Sequence, residues 1–237
     1  MRARLGGMAA CRTAPTAGGG GQVRMTKMAV LLGTLMLGTS WLPGAAFPDP
    51  AVDDRTLKGD QTAVLAGGCF WCMEAVFQQI EGVKKVVSGY CGGDAASAHY
   101  EIVSTGTTGH AESVEITFDP QKISYGQILK VFFDVAHDPT QRNHQGPDYG
   151  PQYRSAIFYA TPEQKRIAEA YIKQLDAARV FRAPIVTQVV ELSRFYPAEE
   201  HHQNFCNRNP HNPYVMSVAQ PKIDKVKQKV PELAKQP

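Results

Sequence analysis

The chain has 237 residues, of which 25 are Lys or Arg and 22 are Asp or Glu, and 43% are hydrophobic. Its net charge of +3 says little about partners, because residues 1–46 hold five basic side chains and no acidic one, so the remainder sits at about −2. That remainder has no Lys/Arg cluster interleaved with aromatics, which argues against nucleic acid as a partner, and its roughly 190 residues suffice for one domain with its own core.

Residues 1–46 read as a leader and not as folded protein. Met25-Thr26-Lys27-Met28 followed by Ala29–Leu42 has the basic start and short apolar core of a secretory signal, and Gly44-Ala45-Ala46 offers small residues for cleavage. The apolar run is short for a membrane span and broken by Gly33, Gly38 and Pro43, so no stable membrane insertion is expected after cleavage. The expectation is an exported, periplasmic protein. Met25 is an alternative start that would make the signal more ordinary. Residues 47–61 are polar with two prolines, as suits a linker or an extended arm, and 62–237 form a single domain.

Thr62–Ala66 is an apolar strand, Gly67-Gly68 a tight turn, and Cys72–Ile80 an amphipathic helix with Val76, Phe77 and Ile80 on one side. Cys69 therefore falls at the helix's positive end, where free N–H groups and the dipole favour thiolate. Val83–Tyr90 is the next strand, followed by a small-residue loop, Ala95–Gly109, that contains Tyr100. Glu112 comes just before the alternating strand Ser113–Phe118, and Ser124 caps a helix running to Ala136. The stretch 137–152 is loop, Tyr153–Tyr159 strand, and Thr161-Pro162 opens a helix reaching about Arg179. Ile185–Leu192 is a strand, Ala198–Phe205 a short helix, and 207–237 a turn-rich, lysine-rich end. The pattern predicts an α+β fold: a two-layer sandwich with a mixed β-sheet core, helices on it and long loops around the active site.

Four cysteines stay with the domain, Cys69, Cys72, Cys91 and Cys206, and C-x-x-C at a helix start suits thiol exchange better than stapling in a domain this large. Glu112, held in partly apolar surroundings, is a candidate proton donor, and Tyr100, Tyr153 and Asp148 can supply hydrogen bonds. Phe70 and Trp71 form an apolar wall beside the thiol that suits a methyl or thioether group. His201 and His202 do not combine with the cysteines in a zinc-binding spacing, so no metal is expected, and His110, His137 and His144 read as loop or capping residues.

Five motifs carry a family resemblance. Gly68-Cys69-Phe70-Trp71-Cys72-Met73-Glu74, Ser88-Gly89-Tyr90 before Gly92-Gly93, Thr108-Gly109-His110-Ala111-Glu112, Gln145-Gly146-Pro147-Asp148 running into Gln152-Tyr153-Arg154-Ser155, and Ala198-Glu199-Glu200-His201-His202-Gln203 together resemble peptide methionine sulfoxide reductase of the A type, over about Thr62 to Tyr214. The resemblance implies reduction of methionine-S-sulfoxide, protein-bound or free, with no cofactor. In that scheme Cys69 attacks the sulfur, Glu112, Tyr100 and Tyr153 protonate and polarise the oxygen, and Asp148 belongs to the same polar network. Phe70 and Trp71 receive the substrate methyl, and Cys69 passes through a sulfenic acid. A second thiol closes a disulfide that a thioredoxin-like reductant opens. The family often keeps its resolving cysteines in a glycine-rich tail, and residues 215–237 have none. Cys206 or Cys72 must serve, and Cys206 is favoured as a thiol on a mobile C-terminal arm; the role of Cys91 stays open. A monomer is expected. The alternative reading is a thioredoxin-like disulfide oxidoreductase of the exported compartment, though such proteins typically place Trp before the first cysteine.

Overall fold

The computed structural model describes residues 47–236, and the expected leader, residues 1–46, lies outside them. Along the chain come β1 (Gln61–Gly67), α1 (Phe70–Gln78), β2 (Val83–Cys91), α2 (Tyr100–Val103), β3 (Ala111–Phe118) and α3 (Tyr125–Val131) with a π-helical turn at Phe132–Ala136. Then follow the two-residue strands β4 (His144–Gln145) and β5 (Asp148–Tyr149), β6 (Ser155–Tyr159), α4 (Pro162–Ala177), β7 (Gln188–Glu191), β8 (Phe195–Pro197), α5 (Phe205–Arg208) and α6 (Gln220–Lys229).

Six strands form one sheet in the order β7-β6-β1-β3-β2-β8, antiparallel except for the parallel pair β6 and β7. The result is the mixed-sheet α+β architecture expected from the alternation of strands and helices. In β1 the side chains alternate between two apolar clusters: Ala63 and Leu65 join the main core with the helices, while Val64 and Ala66 join Cys91, Ala111, Ala156 and Phe158 in a small second one. Cys91 is thereby a core residue. Its thiol donates to the Arg194 carbonyl at 3.3 Å, and burial pushes its pKa up to about 12, which leaves it unreactive at neutral pH.

Local signals decide where the elements begin. Ser124 and Gln127 form a reciprocal capping box at α3, and Thr161 accepts the Gln164 amide ahead of Pro162 at α4. Several boundaries differ from the sequence expectation for tertiary reasons. The loop at 95–109 contains α2, whose Tyr100 amide donates to Glu199 at 2.9 Å. Tyr153 precedes its strand, on a 3-10 turn entered through Gly150 (φ +135°) and Pro151. Strand β7 begins only at Gln188, because the Val186 amide donates to Pro139 in place of a strand neighbour. Of the expected 198–205 helix only the 3-10 turn Glu200–His202 and Phe205, the first residue of α5, are helical, and the rest of α5 and α6 were not foreseen. The apolar Ile223, Val226 and Val230 lie at helical spacing, but they are outnumbered by charged neighbours.

Candidate active site

Gly67-Gly68 turns the end of β1 into α1. Gly68 has φ +98°, and a Cβ there would lie 2.6 Å from the Gln145 side chain, so both the turn and the close approach of the β4 segment require glycine. Cys69 becomes the N-cap of α1, and its carbonyl accepts the amides of Cys72 and Met73 at 3.1 and 3.2 Å. The next free amide of the helix, that of Phe70, donates to Oε2 of Glu112 at 3.0 Å. Glu112 is therefore inside β3, on the same face as Val114 and Ile116, and its carboxyl occupies the positive end of α1.

That placement reverses one expectation. The helix terminus was expected to favour thiolate at Cys69, but burial, contact with the Cys72 thiol and the nearby Glu112 carboxyl raise the Cys69 pKa well above its ordinary value. Burial is the largest of these causes, and one of the free amides at the terminus, that of Phe70, is taken by Glu112. Burial likewise raises Glu112 to about 8, despite the Phe70 amide, with Asp148 adding to the effect. At neutral pH the resting site thus holds both a Cys69 thiol and a protonated Glu112. Cys72 goes the other way: a hydrogen bond with Cys69, helped by Lys222 and Tyr214, lowers it to about 7 against the opposing effect of burial.

The remaining expected site residues gather around this pair. The Tyr100 ring stacks 6.5 Å from Phe70 and lies tilted against His202 at 4.3 Å. Burial raises the pKa of both Tyr100 and Tyr153, and the charges of Glu112 and Cys69 raise them further, so both phenols stay protonated donors. Asp148 accepts a hydrogen bond from the Tyr214 hydroxyl at 2.6 Å, and burial raises its pKa. Phe70 is buried among Trp71, Tyr90, Tyr100 and His202. Trp71 stacks on Phe205 at 3.7 Å and donates from Nε1 to Nδ1 of His202 at 3.2 Å, which puts the proton of that imidazole on Nε2.

Cys206, expected on a C-terminal arm, is packed against the start of α1 in this structure. Cys206 sits on α5 with its thiol donating to the Trp71 carbonyl at 3.4 Å, beside the Trp71–Phe205 stack. The Asn204 amide donates to both oxygens of Glu74 at 2.9 Å, and Glu74 also accepts from Ser88 at 3.1 Å. Burial pushes the Cys206 thiol to about 12, and the charges of Cys72 and Glu74 act in the same direction. All four cysteines of the domain are free thiols.

Two residues of the site escaped sequence reasoning. Tyr214 lies 3.8 Å from the Cys72 sulfur while holding Asp148, yet in sequence it only follows the turn Asn212-Pro213. Glu74 stood within a motif but gave no hint of its distant partner, Asn204.

Comparison with known proteins agrees with the motifs. The family model described as peptide methionine sulfoxide reductase matches residues 61–234. Peptide methionine sulfoxide reductase MsrA 2 of Synechocystis sp. is 54% identical over 185 residues, 76% of this chain and 86% of that protein. The protein of the same name from Mesorhizobium japonicum is 54% identical over 182 residues, 77% of this chain and 93% of that one. Among solved structures, methionine sulfoxide reductase A of Corynebacterium diphtheriae superposes with a TM-score of 0.58 at 35% identity, over 70% of this chain and 85% of that one. Reduced Mxr1 from Saccharomyces cerevisiae gives 0.59 at 30% identity, over 65% and 87%. These matches do not favour the thioredoxin-like alternative. The fold, the cysteine at the head of α1 and the family match over residues 61–234 lead to one conclusion: this chain belongs to the peptide methionine sulfoxide reductase family.

Proposed function

We propose that, in the thiol-dependent reduction of methionine sulfoxide that this chain performs, Cys69 takes the oxygen and Cys72 resolves the product. The observation that carries the reading is the place of Cys72 in the first turn of α1, its amide on the Cys69 carbonyl at 3.1 Å, with the buried Glu112 carboxyl on the Phe70 amide between them at 3.0 Å. In the first step the Cys69 sulfur attacks the sulfoxide sulfur while Glu112, Tyr100 and Tyr153 donate to the oxygen. Methionine leaves, and Cys69 holds the oxygen as a sulfenic acid, its thiol hydrogen having been returned to the site's donors. Phe70 and Trp71 are the apolar wall for the substrate methyl, and Asp148 with Tyr214 closes the polar side. The substrate is the S-sulfoxide, free or within a protein.

In the second step the Cys72 sulfur attacks the sulfenic acid, a disulfide forms and water leaves. In the resting site Cys72 is lowered to about 7, chiefly through Cys69, whereas burial pushes Cys206 to about 12 and its thiol is held on the Trp71 carbonyl, so of the two Cys72 is the thiol placed to attack. A thioredoxin-like dithiol then reduces the disulfide. The basic start and apolar core of residues 25–42 support action in an exported, periplasmic setting, and one chain carries the whole residue set, as suits a monomer.

The test is a single turnover with one equivalent of methionine sulfoxide, followed by thiol blocking and non-reducing peptide mass spectrometry. A Cys69–Cys72 linkage is expected, and a Cys69–Cys206 linkage in wild type would refute the assignment of Cys72.

A further inference from the structure

A second feature lies away from the cysteines. A cavity of about 1070 Å³ opens between the π-helical turn after α3, helix α6 and the segment Val180–Arg182, and Phe47 and Asp134 share its wall. The Asp134 side chain is only 4% exposed. Its Oδ1 faces Lys229 at 3.7 Å, longer than a hydrogen bond, and its buried Oδ2 has no hydrogen-bond partner among the described residues. A carboxylate oxygen in that position is costly unless a donor reaches it. Of the other cations on the cavity wall, Lys130 is already shared between Asp49 at 2.9 Å and Glu232 at 3.1 Å, and among the described residues neither Arg182 nor Lys225 forms an ion pair with Asp134.

The start of the described chain lines the same cavity. Tyr171 donates its hydroxyl to the Pro48 carbonyl at 2.6 Å and feels the charges of both Asp49 and Asp134. The Phe47 ring meets Phe181 edge-on with centroids 6.1 Å apart. Gln174 donates to the Asp49 carbonyl and accepts from the Ala51 amide, each at 2.8 Å. From Phe47 onward the arm is thus fastened to α4 and its surroundings, and Phe47 directly follows Gly44-Ala45-Ala46, with small residues at the positions a signal-removing peptidase reads.

We propose that hydrolysis of the Ala46–Phe47 bond creates an α-ammonium that seats in this cavity and donates to Asp134 Oδ2, making the mature N-terminus a structural clamp. Water adds across the amide, the carbonyl carbon keeps its oxygen as the Ala46 carboxylate, and the Phe47 nitrogen leaves as an amine that takes up a proton. The catalyst is a peptidase that acts on exported chains. An uncut chain offers only a neutral amide N–H at this point, whereas the ammonium brings three donors and a positive charge to a buried carboxylate. The inference rests on the export reading.

Two measurements separate the parts. N-terminal sequencing of the chain recovered after export from its host should give Phe47 first; any other first residue overturns the processing step. Independently, chains beginning at Phe47 and at Ala46, each released from a cleavable fusion and each keeping every described residue, are compared in thermal unfolding and in labelling of the α-amine at neutral pH. The Phe47 chain should melt higher by about 3 °C, and its amine should label about tenfold more slowly, as expected of a donor held by a buried carboxylate. Asp134→Asn should abolish both differences. Equal melting and labelling of the two chains, a comparison that needs no variant, would overturn the clamp even if export and cleavage are as described.

Discussion

The Phe70 amide donates to Oε2 of Glu112 at 3.0 Å, which couples the first turn of α1 to a carboxyl 42 residues later in the chain. This bond holds the acid beside Cys69, and burial keeps the acid protonated to about pH 8. Glu112→Gln preserves the acceptor but removes the proton, so sulfoxide reduction should slow about 10²-fold while disulfide formation is spared. Rapid quench at pH 7 resolves the two steps, and an unchanged first step would remove Glu112 from the chemistry.

The same carboxyl sets a pH dependence with a definite sign. Its folded pKa lies above the unfolded value, so the native state holds a proton that the unfolded chain releases first. Stability associated with Glu112 is full below the unfolded pKa and is lost as pH rises through about 8. The reduction step should fall over the upper part of that window as the donor ionises. Single-turnover rates and urea midpoints from pH 5 to 9.5 should both decline in wild type and flatten in Glu112→Gln.

Cys69→Ser should abolish methionine formation in a single turnover without added reductant, since the hydroxyl is a far weaker nucleophile in the same place. Circular dichroism should show an intact fold. Methionine formed by this variant would transfer the nucleophile's role to another thiol.

Cys72→Ser should still release one methionine per chain but leave Cys69 as a sulfenic acid that dimedone can trap. Cys206→Ser should turn over at close to the wild-type rate with a dithiol reductant, because its thiol, near pKa 12, is scarcely ionised at neutral pH. The reverse pattern would reinstate Cys206 as the resolving residue.

Glu74→Gln leaves only one carbonyl oxygen where two carboxylate oxygens now accept from Asn204 and Ser88. The loss should cost about 1–3 kcal/mol in urea unfolding. It should also raise the labelling rate of Cys206, since Asn204 caps the helix that carries it. Unchanged labelling would show that α5 is held without Glu74, by the Trp71–Phe205 stack and the hydrogen bonds of Asn207 to Gln78 and of Arg208 to the Glu200 carbonyl.

The chain by itself determined the local devices. Two glycines after an apolar strand put Cys69 at the head of a helix, Ser124 and Thr161 announced their caps, and the alternation of Val114, Ile116 and Phe118 marked β3; each depends on neighbours within a few residues. The ordered motifs were likewise visible without coordinates, and so was the family. Tertiary structure alone decided which group meets the α1 terminus, because Glu112 reaches it from another strand. It also decided the protonation of the site: burial of Cys69 and Glu112 raises both pKa values, and no sequence window reports burial from all sides. The C-terminal segment is the sharpest case. Its polar composition read as a mobile arm, but Trp71, Glu74 and Asp148 fix Phe205, Asn204 and Tyr214 through contacts spanning 66 residues or more, and those contacts exist only once the sheet has brought the elements together.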